Sequence, residues 1–316
     1  VQEKEFNQKQ SLVITLRSKP SFLMTGHLDV VEGEEEQFKP VEKNNRVYGR
    51  GAVDMKAGCA IALNVMARLA REKPSAGIGL ILTTDEEIGG ENGMKKLVEQ
   101  GLRGKFVTTL EPGHHSIAVG HKGVLWIELT AKGIAAHASR PWLGVNAIDL
   151  LFNAVNELRS VLPKSDFKSE KGKWVSTLSV GFIQGGISPN RIPDVATAKI
   201  DARIAREQDR KKLLEKLLEI ENIGYKIIQN EPMLSNDESN FFIKKFSQAV
   251  KQVYGKHFPF SREHGASDVR YFGEKGIPAI SFGPYGENYH GRNEWVSLED
   301  MNKVEEVYYN LASQWK

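Results

Sequence analysis

Five short segments carry side chains of the kind that bind transition metals. FLMTGHLDVV (22–31) ends an apolar run on His27 and Asp29, and RGAVDMKAG holds Asp54. TTDEEIGG holds Asp85, Glu86 and Glu87, LEPGHH begins with a leucine and Glu111, and FGPYGENYHG places His290 in a glycine-rich loop. Two histidines with several carboxylates make a mixed nitrogen and oxygen donor set. That set suits zinc, manganese or cobalt and is too rich in nitrogen for a calcium cage. Singly, each piece has an ordinary explanation: a histidine at a strand end bonds a loop, an aspartate before a helix caps it, and DEE before GG is a solvated turn. Taken together they argue for metal. Glu86 and Glu87 buried near Asp54 would stack like charges at low dielectric, which is costly unless cations neutralise them.

The elements that must position these groups alternate in type. SLVITL (11–16), SFLMTG (21–26), IGLILTT (78–84) and FVTTL (106–110) read as strands, the third apolar throughout as in a sheet covered on both faces. Between them, MKAGCAIALNVMARLA (55–70) has helical spacing through Ala60, Leu63, Ala67 and Leu69, and ENGMKKLVEQG (91–101) is a helix ending in glycine. Interleaved strands and helices predict a mainly parallel central sheet flanked by helices, an α/β catalytic domain whose ligands sit at the carboxyl ends of strands. From about residue 120 the texture changes. GVLWIELTAKG (123–133), VSTLSVGFIQ (175–184) and ATAKIDARI (196–204) read as strands, with helices at 143–162 and 210–220, an α+β layer. After residue 234 the first texture returns with a helix at 240–255, a strand at 277–283, and a last helix opened by Ser297 with Asp300 three residues on. The expectation is a discontinuous catalytic domain, 1–119 and 234–316, interrupted by an inserted lid or dimerisation domain, 120–233.

Composition narrows the partners. The chain has 316 residues, 40% hydrophobic, with 43 Lys and Arg against 40 Asp and Glu. Such balance argues against a nucleic-acid or membrane surface as main partner. The lysine-bearing stretches 164–173 and 210–216 are broken by acids and read as solvated faces. One cysteine, Cys59, permits no intramolecular disulfide, and a reducing cytoplasm is the expected setting. No apolar run reaches the ~18–20 residues of a membrane span. GGISPNRIP lacks a lysine-bearing phosphate loop, so no nucleotide site is expected.

In order along the chain, TGHLDVV, GRGAVDMKAG, TTDEEIGG and LEPGHH resemble the M20 family of metallopeptidases and deacylases, which includes succinyl-diaminopimelate desuccinylase, acetylornithine deacetylase and glutamate carboxypeptidase. The resemblance continues through GIAAHASRPWLGVNAI, GGISPNRIPDVATAKIDARI, GASDVRYF and FGPYGENYHGRNE. It implies two divalent cations per chain, most readily Zn2+ with Co2+ or Mn2+ as alternatives. His27 and Glu111 would hold one, Glu87 and His290 the other, with Asp54 between. Asp29 would orient His27 from behind. Glu86, on an extended segment that turns it away from Glu87, would be the general base for the attacking water. His137 in GIAAHAS would reach a neighbouring subunit's site and stabilise the oxyanion, implying a homodimer through the lid. Asn190, Arg203, Gly265 and Ser267 match positions near the substrate; for Arg203 an ordinary strand position is an equal reading. The implied activity is amide hydrolysis of an N-acyl amino acid, of desuccinylase or deacetylase type. Exopeptidase action on a short peptide and a non-catalytic metal-binding role stand as alternatives. The family usually carries a leading helix before the strand matching SLVITL, and the chain here opens abruptly on VQEKEF, so an incomplete first layer is expected.

Overall fold

The computed structural model describes residues 1–165 and 173–315, and the lysine stretch 164–173 falls largely outside them. The chain forms two compact units: Val1–Gly120 with Leu234–Glu263 and Ser267–Lys316, and His121–Met233 with His264–Ala266.

The first unit is built on a nine-stranded sheet. Its order is Gln2–Phe6, Lys9–Thr15, Ile78–Thr83, Phe22–His27, Phe106–Thr109, Ala279–Ser281, Ile117–His121 and Leu234–Ser235, with Phe260–Glu263 beside Ile117–His121. The four central strands, Ile78–Thr83 through Ala279–Ser281, pair in parallel. Antiparallel pairs flank them at the Lys9–Thr15 and Ile117–His121 margins. Parallel strands sit under helices on both faces, which is why Phe22–His27 and Ile78–Thr83 are buried at every position. One face packs against helices Ala57–Glu72, Phe241–Tyr254 and Leu298–Ser313 through Phe22, Phe106, Phe246, Leu69 and Tyr308. Ser297 caps the last helix by accepting from the Asp300 N–H.

Helix Ala57–Glu72 buries a stripe that shares only Leu69 with the one its spacing suggested, Ala60, Leu63 and Ala67 being exposed. Ile61, Ala62, Val65, Met66 and Leu69 face the core, and Leu63 is 41% exposed. Ala60, Leu63 and Ala67 also recur at helical intervals, and two such stripes compete; the one carrying more apolar volume is buried. At its start a Cβ on Gly58 would lie 2.3 Å from the Leu110 carbonyl. Only glycine lets this helix approach the strand that leads into Glu111.

In the second unit a four-stranded antiparallel sheet, ordered Thr177–Gly185, Val195–Ile204, Gly123–Lys132 and Ile223–Glu231, carries helices Ala147–Ser160 and Glu207–Glu219. Leu125, Ile127, Leu129, Ala198, Ile200 and Ala202 alternate inward against Leu151, Leu158, Leu213 and Leu217. The strand Ile223–Glu231 escaped the sequence reading because its alternation, Ile223, Tyr225 and Ile227 against Gly224 and Lys226, is short and breaks at Ile228, where the register shifts between Ile227 and Gln229. No helix among the described residues is long and apolar enough to cross a membrane.

Candidate metal centre

The parallel strands deliver the candidate ligands at one edge. His27 closes Phe22–His27, Glu86 and Glu87 follow Ile78–Thr83, and Glu111 follows Phe106–Thr109. Asp54 lies in the turn Ala52–Lys56 ahead of the first helix, with φ −118° and ψ 92°, and its peptide to Met55 is cis. His290 sits at φ +61° in the loop after Ala279–Ser281. His27, Asp54 and Glu111 offer ligand atoms within 4.8 Å of one another, and so do Asp54, Glu87 and His290. Asp54 belongs to both sets. Its Oδ1 is 3.4 Å from His27 Nε2 and its Oδ2 is 3.1 Å from His290 Nε2. Glu111 Oε1 stands 3.6 Å from His27 Nε2, and Glu87 Oε2 3.3 Å from His290 Nε2.

Asp29 sets the state of His27. The Asp29 carbonyl lies 3.0 Å from His27 Nδ1, closer than its carboxylate Oδ1 at 3.5 Å. A carbonyl can only accept, so Nδ1 carries a proton and Nε2 is the ring atom that faces Asp54 and Glu111. The other carboxylate oxygen of Asp29 accepts the Glu87 N–H at 3.0 Å, tying the two ligand segments together. Glu86 and Glu87 diverge as expected, but for a different reason. Glu86–Ile88 is a single 3-10 turn, not an extended segment, and its ~3 residues per turn rotate neighbours by about 120°. Glu86 Oε2 therefore points toward His27, 4.0 Å from its Nε2, while Glu87 faces His290.

The electrostatics are those of a site built for cations. Burial pushes the Glu111 carboxyl up to about 7, with Asp54 adding to the rise and His27 opposing it. Burial also raises Glu86 well above the usual carboxylate range, helped by Glu111 and Asp268, and raises Glu87, helped by Asp54. Burial alone would pull His27 down, but the carboxylates around it, Glu111 foremost, hold it raised. Burial alone would raise Asp54, yet hydrogen bonds from His27 and His290 bring it below its ordinary value. The buried Glu87 Oε1 has no hydrogen-bond partner. Without a cation, protons on the two imidazoles answer the crowded carboxylate oxygens, and a cation bound among the same atoms would take over that role. The donors present fit divalent metal.

Other expected residues fall in varied settings. Ser267 is 2% exposed with an unpartnered hydroxyl, beside Asp268, which burial pushes up to about 6. Asp268 accepts from Thr83 Oγ1 at 3.2 Å. Among residues of the second unit, His137 lies on the short strand Ala136–His137, exposed, and accepts the Ser139 N–H at Nδ1 (3.1 Å). Asn190 is exposed and its carbonyl accepts the Ala138 N–H. The Arg203 fork is taken by Asp201 in two 2.9 Å bonds. Gly265 has open space around it. Cys59 is buried and donates to the His27 carbonyl, its thiol pushed up to about 12 by burial. Sequence reasoning missed Arg50 and Glu294, a buried ion pair at 2.9 Å beside the ligand turns. Their 244-residue separation leaves no local pattern to find.

The sequence model of "Peptidase family M20/M25/M40" matches residues 23–314, and the chain belongs to this family. It is a metal-dependent amidohydrolase of the M20 class. A succinyl-diaminopimelate desuccinylase of Coxiella burnetii is 29% identical over 314 residues, covering 92% of this chain and 83% of the relative. Among solved structures, the aminopeptidase PepT of Bacillus cereus superimposes with TM-score 0.78 at 21% identity, covering 99% of this chain and 88% of that one. A protein of Bacillus subtilis described as a dinuclear metal-binding peptidase of the M20 family gives 0.69 at 17% identity, covering 99% and 87%. These likenesses share the mixed α/β fold.

Proposed function

We propose that the chain hydrolyses the amide bond of an N-acyl amino acid at a centre of two divalent cations, with zinc the expected metal. The observation that carries this reading is the two-sided placement of Asp54, one oxygen toward each histidine. His27 and Glu111 would hold one cation, Glu87 and His290 the other, with Asp54 shared. Bound there, the cations would supply Lewis acidity that polarises the amide carbonyl and eases deprotonation of water. Glu86 is the group free for proton transfer. Its Oε2 points at the centre, and burial beside Glu111 and Asp268 favours a carboxyl that accepts a proton and releases it again. It would take the proton of the attacking water and pass it to the leaving nitrogen, giving a carboxylate and an amine.

Desuccinylase chemistry is favoured because the similar Coxiella protein bears that name. His137, with Nδ1 occupied as acceptor, presents Nε2–H as a donor, the form an oxyanion needs. We infer that the second unit serves as lid and dimerisation domain and that His137 acts on a partner's site in a homodimer. Of the lid pair, Arg203 already holds Asp201 and Asn190 Oδ1 accepts from Ser188 Oγ, so the Asn190 amide N–H groups are the proposed substrate donors. A cytoplasmic setting is proposed from the single buried cysteine. Metal analysis after reloading should give about two divalent ions per chain, and fewer than one would sink the reading. A panel of N-succinyl, N-acetyl and dipeptide substrates with zinc or cobalt should show turnover of the succinyl class first. Hydrolysis of none would favour a metal-binding protein without catalysis.

A further inference from the structure

Glu294 follows His290 by four residues and precedes the strand Trp295–Ser297, which pairs antiparallel with Arg46–Tyr48. The Gly49 N–H donates to the Glu294 carbonyl at 3.0 Å, so this register delivers the Glu294 side chain to the turn that begins at Arg50. The side chain is 1% exposed. Its Oε2 accepts from Arg50 Nη1 at 2.9 Å and from the Gly51 N–H at 3.0 Å. Its Oε1 accepts from the N–H groups of Val53 at 3.0 Å and Asp54 at 3.1 Å. Those amides belong to a turn whose backbone leaves helical values at Asp54 and Met55, so they need an acceptor from elsewhere. Gly51 permits the turn itself. It sits at φ +78°, where a Cβ would meet Val30 Cγ1 at 2.6 Å.

Four N–H donors consume the Glu294 carboxylate, so this residue is no spare ligand despite its distance of four positions from His290. Arg50 extends the contact, because its Nη2 donates to the His290 carbonyl at 3.2 Å. One ion pair thus holds the backbone that presents Asp54 and the backbone that presents His290. Every hydrogen bond it makes to the main chain falls on those two segments.

We propose that Glu294 and Arg50 are positioning residues that lock the Asp54 turn and the His290 loop into one ligand geometry and thereby set the affinity of the centre for its cations. The inference rests on the two-cation reading. Outer-layer partners of this kind are worth about 10–100-fold in metal affinity. Glu294→Gln keeps the volume but turns one acceptor into an NH2 that faces N–H groups, disturbing Asp54 and with it both cations. Arg50→Lys keeps the charge but has no fork to span Glu294 and His290, so the effect should fall on the His290 side.

The test is titration of metal-free protein with Zn2+ by calorimetry and with Co2+ by its visible absorption, on wild type and both variants. Arg50→Lys should weaken one of two binding steps about 10–100-fold and leave the other within about threefold, while Glu294→Gln weakens both steps. Two steps within about threefold of wild type in a folded variant overturn the clamp. If Glu294→Gln fails to fold, Arg50→Lys decides alone. A wild-type chain that takes up a single cation overturns the two-cation reading and the clamp together, whereas two cations in wild type with unaltered variants overturn the clamp only.

Discussion

His27 and His137 make opposite use of the same side chain. In the first unit, His27 is buried and donates from Nδ1 to the Asp29 carbonyl, so Nε2 is the nitrogen left to face the carboxylates and any cation they would hold. In the second, His137 is exposed and accepts at Nδ1 from the Ser139 N–H, so Nε2 offers a proton. A single backbone group in each place decides which ring nitrogen is left to act. The surroundings follow the same division. The candidate ligand segments are tied together by hydrogen bonds to Asp29 and Glu294 and from Arg50, the kind of bracing that coordination would need because it tolerates little positional error. His137 stands on a two-residue strand paired with Arg191–Ile192, where a donor can adapt to what approaches it.

The largest break in this comparison should come from Glu86→Ala, which ought to retain metal and lose about 10²–10⁴-fold in turnover. Retained activity would remove Glu86 as the proton carrier. His137→Ala should follow, with about 10²–10³-fold lost from kcat and metal content untouched. The two variants also sharpen each other: mixed and reassociated, they should recover about a quarter of wild-type activity if His137 acts across a twofold dimer. No recovery would confine His137 to its own chain or to no role.

The smallest effect is thermal and concerns the metal-free protein. Glu111 is pushed up to about 7 from an ordinary 4.5 by burial, and Glu86 and Glu87 are raised in the same direction. A raised folded value means that the folded state holds more protons. The stability it contributes is complete below 4.5 and is lost as pH climbs through about 7. His27, also raised, adds loss above its ordinary 6.5, while the lowered Asp54 acts oppositely and only below 3.8. The melting temperature of chelator-treated protein should therefore fall by several degrees from pH 5 to pH 8, and added zinc should restore it. A flat profile without metal would show that these carboxylates are not crowded together.

Much of the site could be read directly. His27, Glu86, Glu87 and Glu111 stand at or just after strand ends, and the largely apolar stretches of Phe22–His27 and Ile78–Thr83 announce a covered parallel sheet. The helix face of Ala57–Glu72 could not be read, because Leu63 and Val65 lie on stripes of equal period and only the neighbouring strands choose between them. The turn at Glu86 was also hidden, since three residues are too few to show a period.

The sequence alone determined which side chains could hold metal and the order in which strands present them, because donor chemistry and apolar periodicity are local properties. Tertiary structure decided that Asp54 faces both histidines, that the Asp29 carbonyl and not only its carboxylate orients His27, and that Glu294 braces the site without entering it. Each of these depends on hydrogen bonds or approaches made across the fold, such as Arg50 to Glu294, and distance along the chain carries no record of them.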